Sequence, residues 1–315
     1  SHCHHRWSAY CAGVWYLACA IDGDCPARDA TVLAVSSIAI ATCEGENVDI
    51  DSPILLEALQ NAGLEAALCI WDDASVDWNN FDLTVLRSTW DYAPRRDEFL
   101  AWARNVPRLV NPYEVITYST DKHYLADIAA KGHHIVASAF CDVGDDPIFP
   151  GGDFVVKPSV GAGSIDAERY SPNEYDVARQ HVARLHSAGR DVLIQPYIGS
   201  VDEMGERALV YIDGTFSHAM TKGAMLNVTQ LDRNALFRRE QMKTAVGEPE
   251  ALSVADGVLK DLGFDDLLYA RVDLVMTDSG WAVMELELVE PSLFLSFHQP
   301  AAERLAQAIK RRISN

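Results

Sequence analysis

Apolar positions along the chain fall into short runs separated by polar or glycine-bearing stretches. Thr31 to Ile40, TVLAVSSIAI, is apolar and rich in branched residues, and it predicts a buried strand of a parallel sheet. A polar loop, Thr42 to Asp51, follows. Ser52-Pro53 opens a predicted helix, with serine as the cap and proline at the first helical position, and Gly63 stops it. Leu64 to Trp71 and Leu83 to Arg87 predict two more strands, flanking the acidic and aromatic stretch Asp72 to Asp82. Strand, helix and strand in this order predict a Rossmann-like α/β unit. No GxGxxG follows the first strand, so the unit is not a dinucleotide site.

Beyond this unit the pattern changes. Ser119 to Lys131 predicts a helix ended by Gly132, and Phe154 to Lys157 a strand followed by the small-residue loop Ser159 to Ser164. Pro172 to Ala188 reads as helix and Val192 to Tyr197 as strand. Arg207 to Met220 predicts a hairpin turned at Asp213-Gly214. After a helix over Glu250 to Leu262, strands Tyr269 to Met276 and Trp281 to Leu288 meet at Asp278-Ser279-Gly280. Gln299 to Arg312 predicts a closing amphipathic helix.

Composition narrows the class. The chain has 315 residues, 49% of them hydrophobic and 23% charged, which suits a soluble globular protein of two or three domains. The net charge of −20 opposes binding to nucleic acid or an anionic membrane surface, and no apolar run reaches the roughly 18 residues of a span. The seven cysteines lack paired spacing. Cys43, Cys69 and Cys141 read as buried reduced thiols, and the expected location is cytoplasmic. Ser1 to Ala30, with His2, His4, His5 and four cysteines, fits neither a zinc site nor a signal peptide well. It reads as a tag-like or non-native extension.

Three groups of residues carry candidate chemistry. Asp273 lies in YARVDLV, and Glu285 and Glu287 lie in VMELELVEP. Glu285 and Glu287 are two apart on a strand, so they share a face. Carboxylates among apolar residues are costly unless a cation neutralises them, and hard oxygen ligands suit Mg²⁺. Lys157 ends FVVKP beside a loop whose Gly161 and Gly163 allow backbone N–H groups to approach phosphate. Lys122 and Lys222 are further cations. Arg87-Ser88-Thr89 stands at the carboxyl end of a strand, where open α/β sheets bind ligands, and could hold a substrate carboxylate. No GxSxG, HExxH or Cys–His frame supports a nucleophile or zinc hydrolysis.

The order of these residues resembles the ATP-grasp superfamily over residues about 119 to 298. Lys122 in DKHYL and Lys157 in FVVKP precede Gln195-Pro196-Tyr197-Ile198, Glu206-Arg207, Lys222, Arg271 with Asp273, and Glu285-x-Glu287. The amino-terminal unit resembles the domain preceding the grasp in glutathione synthetase and D-alanine–D-alanine ligase. The expected layout is an extension (1–30), a Rossmann-like substrate domain (31–118), a central subdomain with the phosphate-covering loop (119–198) and a carboxyl-terminal subdomain with the metal site (199–315). The resemblance implies ATP and two Mg²⁺ as cofactors. Lys122, Lys157, Gly161 and Gly163 would meet the phosphates, and Gln195, Tyr197 and Ile198 the adenine. Glu206, or else Glu203, would bind ribose. Lys222 and Arg271 would act on the transferring phosphoryl group, and Asp273, Glu285 and Glu287 would hold metal. Glu287 stands where the superfamily usually has Asn, and Gln195 where it often has Glu.

RSTWDY, DKHYL, QPYI, the pair GER and SHA, and MELELVEPSLFL resemble the D-cycloserine synthetase branch. That resemblance implies a small amino-acid-like substrate, O-ureido-D-serine, whose carboxylate is phosphorylated and whose own nitrogen closes a ring. An intermolecular carboxylate–amine ligase, for example one making a dipeptide, and a kinase remain open readings, as does a homo-oligomer.

Overall fold

The computed structural model describes residues 36–45, 49–223 and 242–314. The expected extension 1–30 and the start of the first predicted strand, 31–35, lie outside the described residues. Among the described residues, no helix is long and apolar enough to cross a membrane.

The first layer is a parallel four-stranded sheet. It contains β1 (Ser37–Thr42), β2 (Glu65–Ile70), β3 (Leu83–Ser88) and β4 (Leu109–Val110), in the order β2-β1-β3-β4. Helices α1 (Asp51–Asn61) and α2 (Arg96–Asn105) lie between these strands in the chain. β1 extends two residues beyond the expected Ile40 and is buried through most of its length, as a run of branched residues in a parallel sheet should be. The pattern reading passed over α2, although it buries Phe99 and Ala103 at i, i+4 spacing.

The chain then passes through α3 (Tyr113–Ser119) and α4 (Tyr124–Ala130). The sequence pattern predicted a single helix over Ser119 to Lys131. The structure breaks it because the Lys122 N–H donates to the Ser159 carbonyl (2.9 Å) and the Asp121 carboxylate accepts from the His123 N–H (3.1 Å). The break turns the Lys122 side chain inward.

The second sheet is antiparallel, ordered β5-β8-β6-β7. It comprises β5 (Ala139–Cys141), β6 (Phe154–Pro158), β7 (Glu168–Tyr170) and β8 (Val192–Pro196), with α5 (Tyr175–Ser187) preceding β8. The helix predicted from Pro172 starts as a short 3₁₀ turn, where Glu174 accepts from the Ser171 N–H at 2.8 Å.

The third sheet follows α6 (Val201–Met204). It contains β9 (Glu206–Ile212), β10 (Thr215–Lys222), β11 (Met242–Ala245), β12 (Tyr269–Thr277) and β13 (Gly280–Glu287), ordered β11-β10-β9-β12-β13 and antiparallel. α7 (Pro249–Asp261) precedes β12, and α8 (Pro300–Ser314) closes the chain. The β9–β10 turn has φ of 53° at Asp213 and 70° at Gly214, the two left-handed positions that favour Asp-Gly in a tight hairpin. α8 buries Leu305, Ala306 and Ile309 in one core with Leu55 and Leu59 of α1 and Val210 of β9, and so joins the first layer to the third.

Asn111 makes a second joint. Its side-chain N–H groups donate to the carbonyls of Tyr269 (3.0 Å) and Leu288 (2.7 Å), and its oxygen accepts from the Leu268 N–H (2.8 Å). Asn111→Ala should lower stability by about 2 kcal/mol or more, because each orphaned buried polar group costs about 1–3 kcal/mol. The urea midpoint measures this.

His218 is buried, donates through Nε2 to the Leu293 carbonyl (3.0 Å), and accepts at Nδ1 from Ser217 (2.8 Å). Burial, then the neighbouring His298, pushes its pKa down to about 4. The unfolded chain takes up this proton at about pH 6.5, before the folded one. Stability therefore falls as pH drops from about 6.5 towards 4, and His218→Gln should flatten that decline in melting temperature.

Candidate active site

β12 and β13 set the first part of the site. Arg271 and Asp273 are two apart on β12 and share a face. The register places Asp273 opposite Glu285 and Arg271 opposite Glu287. Asp273 is fully buried, and Arg271 grips it with two bonds of 2.9 Å. Lys222, at the end of β10, reaches Asp273 at 2.7 Å and Glu206 at 3.0 Å. Arg271 also pairs with Glu287. Gly205, at φ 69°, allows this approach, since a Cβ there would lie 2.5 Å from the Lys222 carbonyl oxygen.

Two cations enter from the other side of the chain's order. Lys122, from the break between α3 and α4, bonds the Gly161 carbonyl (2.9 Å) and Glu285 (3.1 Å). Lys157, on β6, lines the same cavity and has no ion-pair partner among the described residues. The loop bearing Gly161 and Gly163 forms part of the wall. Outside the cavity its far end is tied to α5 and the turn after it by Asp166, which meets Arg184 at 2.9 Å and Arg190 at 2.6 Å.

The charges interact strongly. Burial raises the Asp273 pKa, but Arg271 and Lys222 outweigh it and hold the carboxyl below its usual range. Burial likewise raises Glu285, and Lys122, Lys157 and Lys222 together bring it well down. At Glu287 burial wins over Arg271, with Glu285 and Asp273 adding repulsion, and the carboxyl is pushed up to about 8. Burial also lowers Lys157, against the attraction of Glu285.

Oxygens of Asp273, Glu285 and Glu287 lie within 4.8 Å of one another. This is an all-oxygen donor set of three carboxylates, which fits a hard divalent cation such as Mg²⁺.

The cavity measures about 490 Å³. A smaller one of about 90 Å³ opens beside it, sharing Lys157, Lys222 and Glu285. Its wall is apolar at Val155, Val201 and Met284 and includes Gln195, Tyr197, Ile198 and Glu206. That combination suits a flat heterocycle bound by ring contacts and backbone groups. Glu203, the other residue considered for ribose, is exposed on α6 and lines neither cavity.

Arg87, Ser88 and Thr89 are fully buried and line neither cavity. Arg87 donates to the Pro291 carbonyl at 2.7 Å and stacks over the Tyr269 ring. Ser88 meets the Thr42 hydroxyl at 2.7 Å. The strand-end motif thus grips the segment after β13. Trp90 donates to the Glu290 carbonyl (2.9 Å), Arg271 to Ser292 (3.2 Å) and His218 to Leu293 (3.0 Å). Asp51 accepts from the N–H groups of Leu293 (3.0 Å) and Leu295 (2.8 Å). This strap, residues 290–295, forms cavity wall and carries Phe294 beneath the Arg271 guanidinium.

Pattern reading did not single out Asp51, Asn111 or Glu290. Asp51 and Asn111 act on carbonyls and amides more than 150 residues away, which leaves no local signal. Glu290 is the last acidic residue of VMELELVEP, and its neighbours Val289 and Pro291 are the one local sign of burial.

Residues 38–111 match the family model of the D-cycloserine synthetase DcsG N-terminal domain. The cycloserine biosynthesis protein DcsG of Streptomyces lavendulae is 40% identical over 288 residues, covering 84% of this chain and 95% of that protein. The crystal structure of D-cycloserine synthetase DcsG matches with a TM-score of 0.80 and 36% identity, over 88% of this chain and all of the other (100%). D-alanine–D-alanine ligase from Bacillus anthracis shares the fold, with a TM-score of 0.62 at 14% identity, over 89% of this chain and 98% of that one. With its cations and carboxylates gathered on an ATP-grasp fold, the chain is an ATP-dependent carboxylate–amine ligase and belongs to the D-cycloserine synthetase family.

Proposed function

We propose that the enzyme uses ATP to phosphorylate the carboxylate of O-ureido-D-serine and closes the ring of D-cycloserine by attack of the substrate's own oxygen-bound nitrogen. ADP and phosphate leave, and with water the carbamoyl group departs as carbon dioxide and ammonia. The observation that carries this reading is the convergence of Lys122, Lys157, Lys222 and Arg271 with Glu285 and Glu287 on one cavity, with the buried Asp273 directly behind them. Membership in the synthetase family supports this choice of substrate.

Phosphoryl transfer needs positioning and charge neutralisation more than covalent help from the protein. Lys157 faces the cavity with no close ion pair among the described residues, although Glu285 and Glu206 attract it, and so can turn to an incoming phosphate. Lys122 holds the Gly161 carbonyl and so ties the covering loop to the phosphate position. Arg271 and Lys222 stand beside the carboxylates, where negative charge builds during transfer. Asp273, Glu285 and Glu287 would hold Mg²⁺, two ions in this reading, and the metal would polarise the phosphoryl oxygens.

Gln195, Tyr197 and Ile198 would hold adenine and Glu206 the ribose, in the smaller cavity. Residues 31–118 would then supply a wall of the substrate site, 119–198 the covering loop and 199–315 the metal carboxylates. Ring closure is intramolecular, so a single substrate site beside ATP suffices and proximity comes from the substrate itself.

Incubation with ATP, Mg²⁺ and O-ureido-D-serine should yield ADP, phosphate and D-cycloserine in equal amounts, and EDTA should stop the reaction. ADP without the ring would point to a kinase or to a missing amine, and AMP would overturn the acyl-phosphate route. Glu285→Ala should lower kcat at least about 100-fold. Lys157→Met should raise the KM for ATP about tenfold or more, with a smaller effect on the KM for the amino acid. Steady-state kinetics with each substrate varied in turn separate the two effects.

A further inference from the structure

The large cavity has five carboxylates on its wall among the described residues, and four have their charge or lone pairs taken up. Asp49 accepts from the Asp51 N–H (2.9 Å) and the Ser52 hydroxyl (2.7 Å). Asp51 holds the strap through two N–H groups. Glu285 pairs with Lys122 and Glu287 with Arg271. Glu290 has no ion pair among the described residues, although it is only 8% exposed. The Tyr92 phenol hydrogen-bonds it, Lys122 attracts it without forming an ion pair, and its backbone carbonyl accepts from Trp90. The side chain therefore sits at a fixed point on the cavity wall.

A carboxylate held away from water without a cation is costly, and a cation entering beside it removes that cost. The rings of Trp90, Tyr92, Phe294 and Phe297 share the wall, and aromatic faces favour a cation over an anion. Among the described residues, the cations of the cavity wall are committed elsewhere: Lys122 to Glu285, Lys222 and Arg271 to Asp273, with Lys157 beside Glu285. The missing cation is thus one the ligand brings.

We propose that Glu290 accepts the α-ammonium group of the substrate, and so selects an amino acid over the corresponding plain carboxylic acid. The assignment rests on the substrate class proposed above. The substrate carboxylate would face the lysines and Arg271, where it is phosphorylated, while its ammonium settles against Glu290. Recognition of the ammonium also fixes the third point needed to orient a chiral α-carbon. Nothing in this role transfers a proton or forms a bond to the protein.

The test compares O-ureido-D-serine with its analogue lacking the α-amino group, 3-(ureidooxy)propanoic acid. The wild-type kcat/KM should favour the amino acid by about 100-fold or more, since a site built around a polar group rejects a ligand without it. Glu290→Gln keeps the shape and should cut that preference at least about tenfold. The loss should fall mainly on the KM for the amino acid, with the ATP KM and the rate on the analogue little changed. If the variant instead slows both compounds equally, Glu290 is structural and the assignment fails while ring closure stands. Equal wild-type kcat/KM for the two compounds overturns the assignment with no variant needed. A wild-type enzyme inert to O-ureido-D-serine would overturn the proposed substrate, and this assignment with it.

Discussion

Asp273 is a negative charge with no access to water, and the site is arranged around keeping it charged. Arg271 grips it from the same strand and Lys222 from two strands away. Removing either cation would leave an under-compensated buried carboxylate, which is far worse than never having had the pair. The same two cations also meet Glu287 and Glu206, so one buried charge organises β9, β10, β12 and β13 into a single electrostatic unit. Glu285 is held low by Lys122 and Lys157 from outside that sheet. The pull between these lysines and the carboxylates draws three chain segments into one cavity, and it is the condition for handling a polyanionic substrate with a protein of net charge −20.

The second constraint is the strap after β13. Its backbone belongs to no sheet or α-helix, so its polar groups need side-chain partners. They come from both layers: Asp51, Arg87 and Trp90 from the amino-terminal part, and His218 and Arg271 from the third sheet. Fixing the strap fixes Phe294 under Arg271 and Glu290 at the cavity wall. The buried arginine at the end of β3 therefore shapes the site through backbone it holds in place.

Much of this was legible in the linear pattern. Strands β1, β3, β6, β8, β12 and β13 announce themselves as short branched runs, and Asp213-Gly214 marks its hairpin by the backbone angles it alone tolerates cheaply. Lys122, Lys157, Lys222, Arg271, Asp273, Glu285 and Glu287, which the structure brings together, stand out in the sequence by residue type and order. Where the pattern went astray, a distant partner was responsible. The helix around Lys122 breaks because Ser159 takes its N–H, and a periodicity argument contains no term for a loop 37 positions away.

The sequence by itself determined which residues could be buried, which strands alternate, and which charged side chains must share a face. Those follow from local geometry, because neighbours two apart on a strand point the same way whatever the rest of the chain does. The tertiary structure alone decided how the charges are shared out. It set Glu285 opposite Asp273, turned Arg87 towards a carbonyl rather than the cavity, and left Glu290 without an ion pair among the described residues. Each of these depends on strand register or on segments about 200 residues apart being brought within 3 Å. Electrostatic and hydrogen-bonding energies depend on such distances, and no distance of that kind is written in the order of residues.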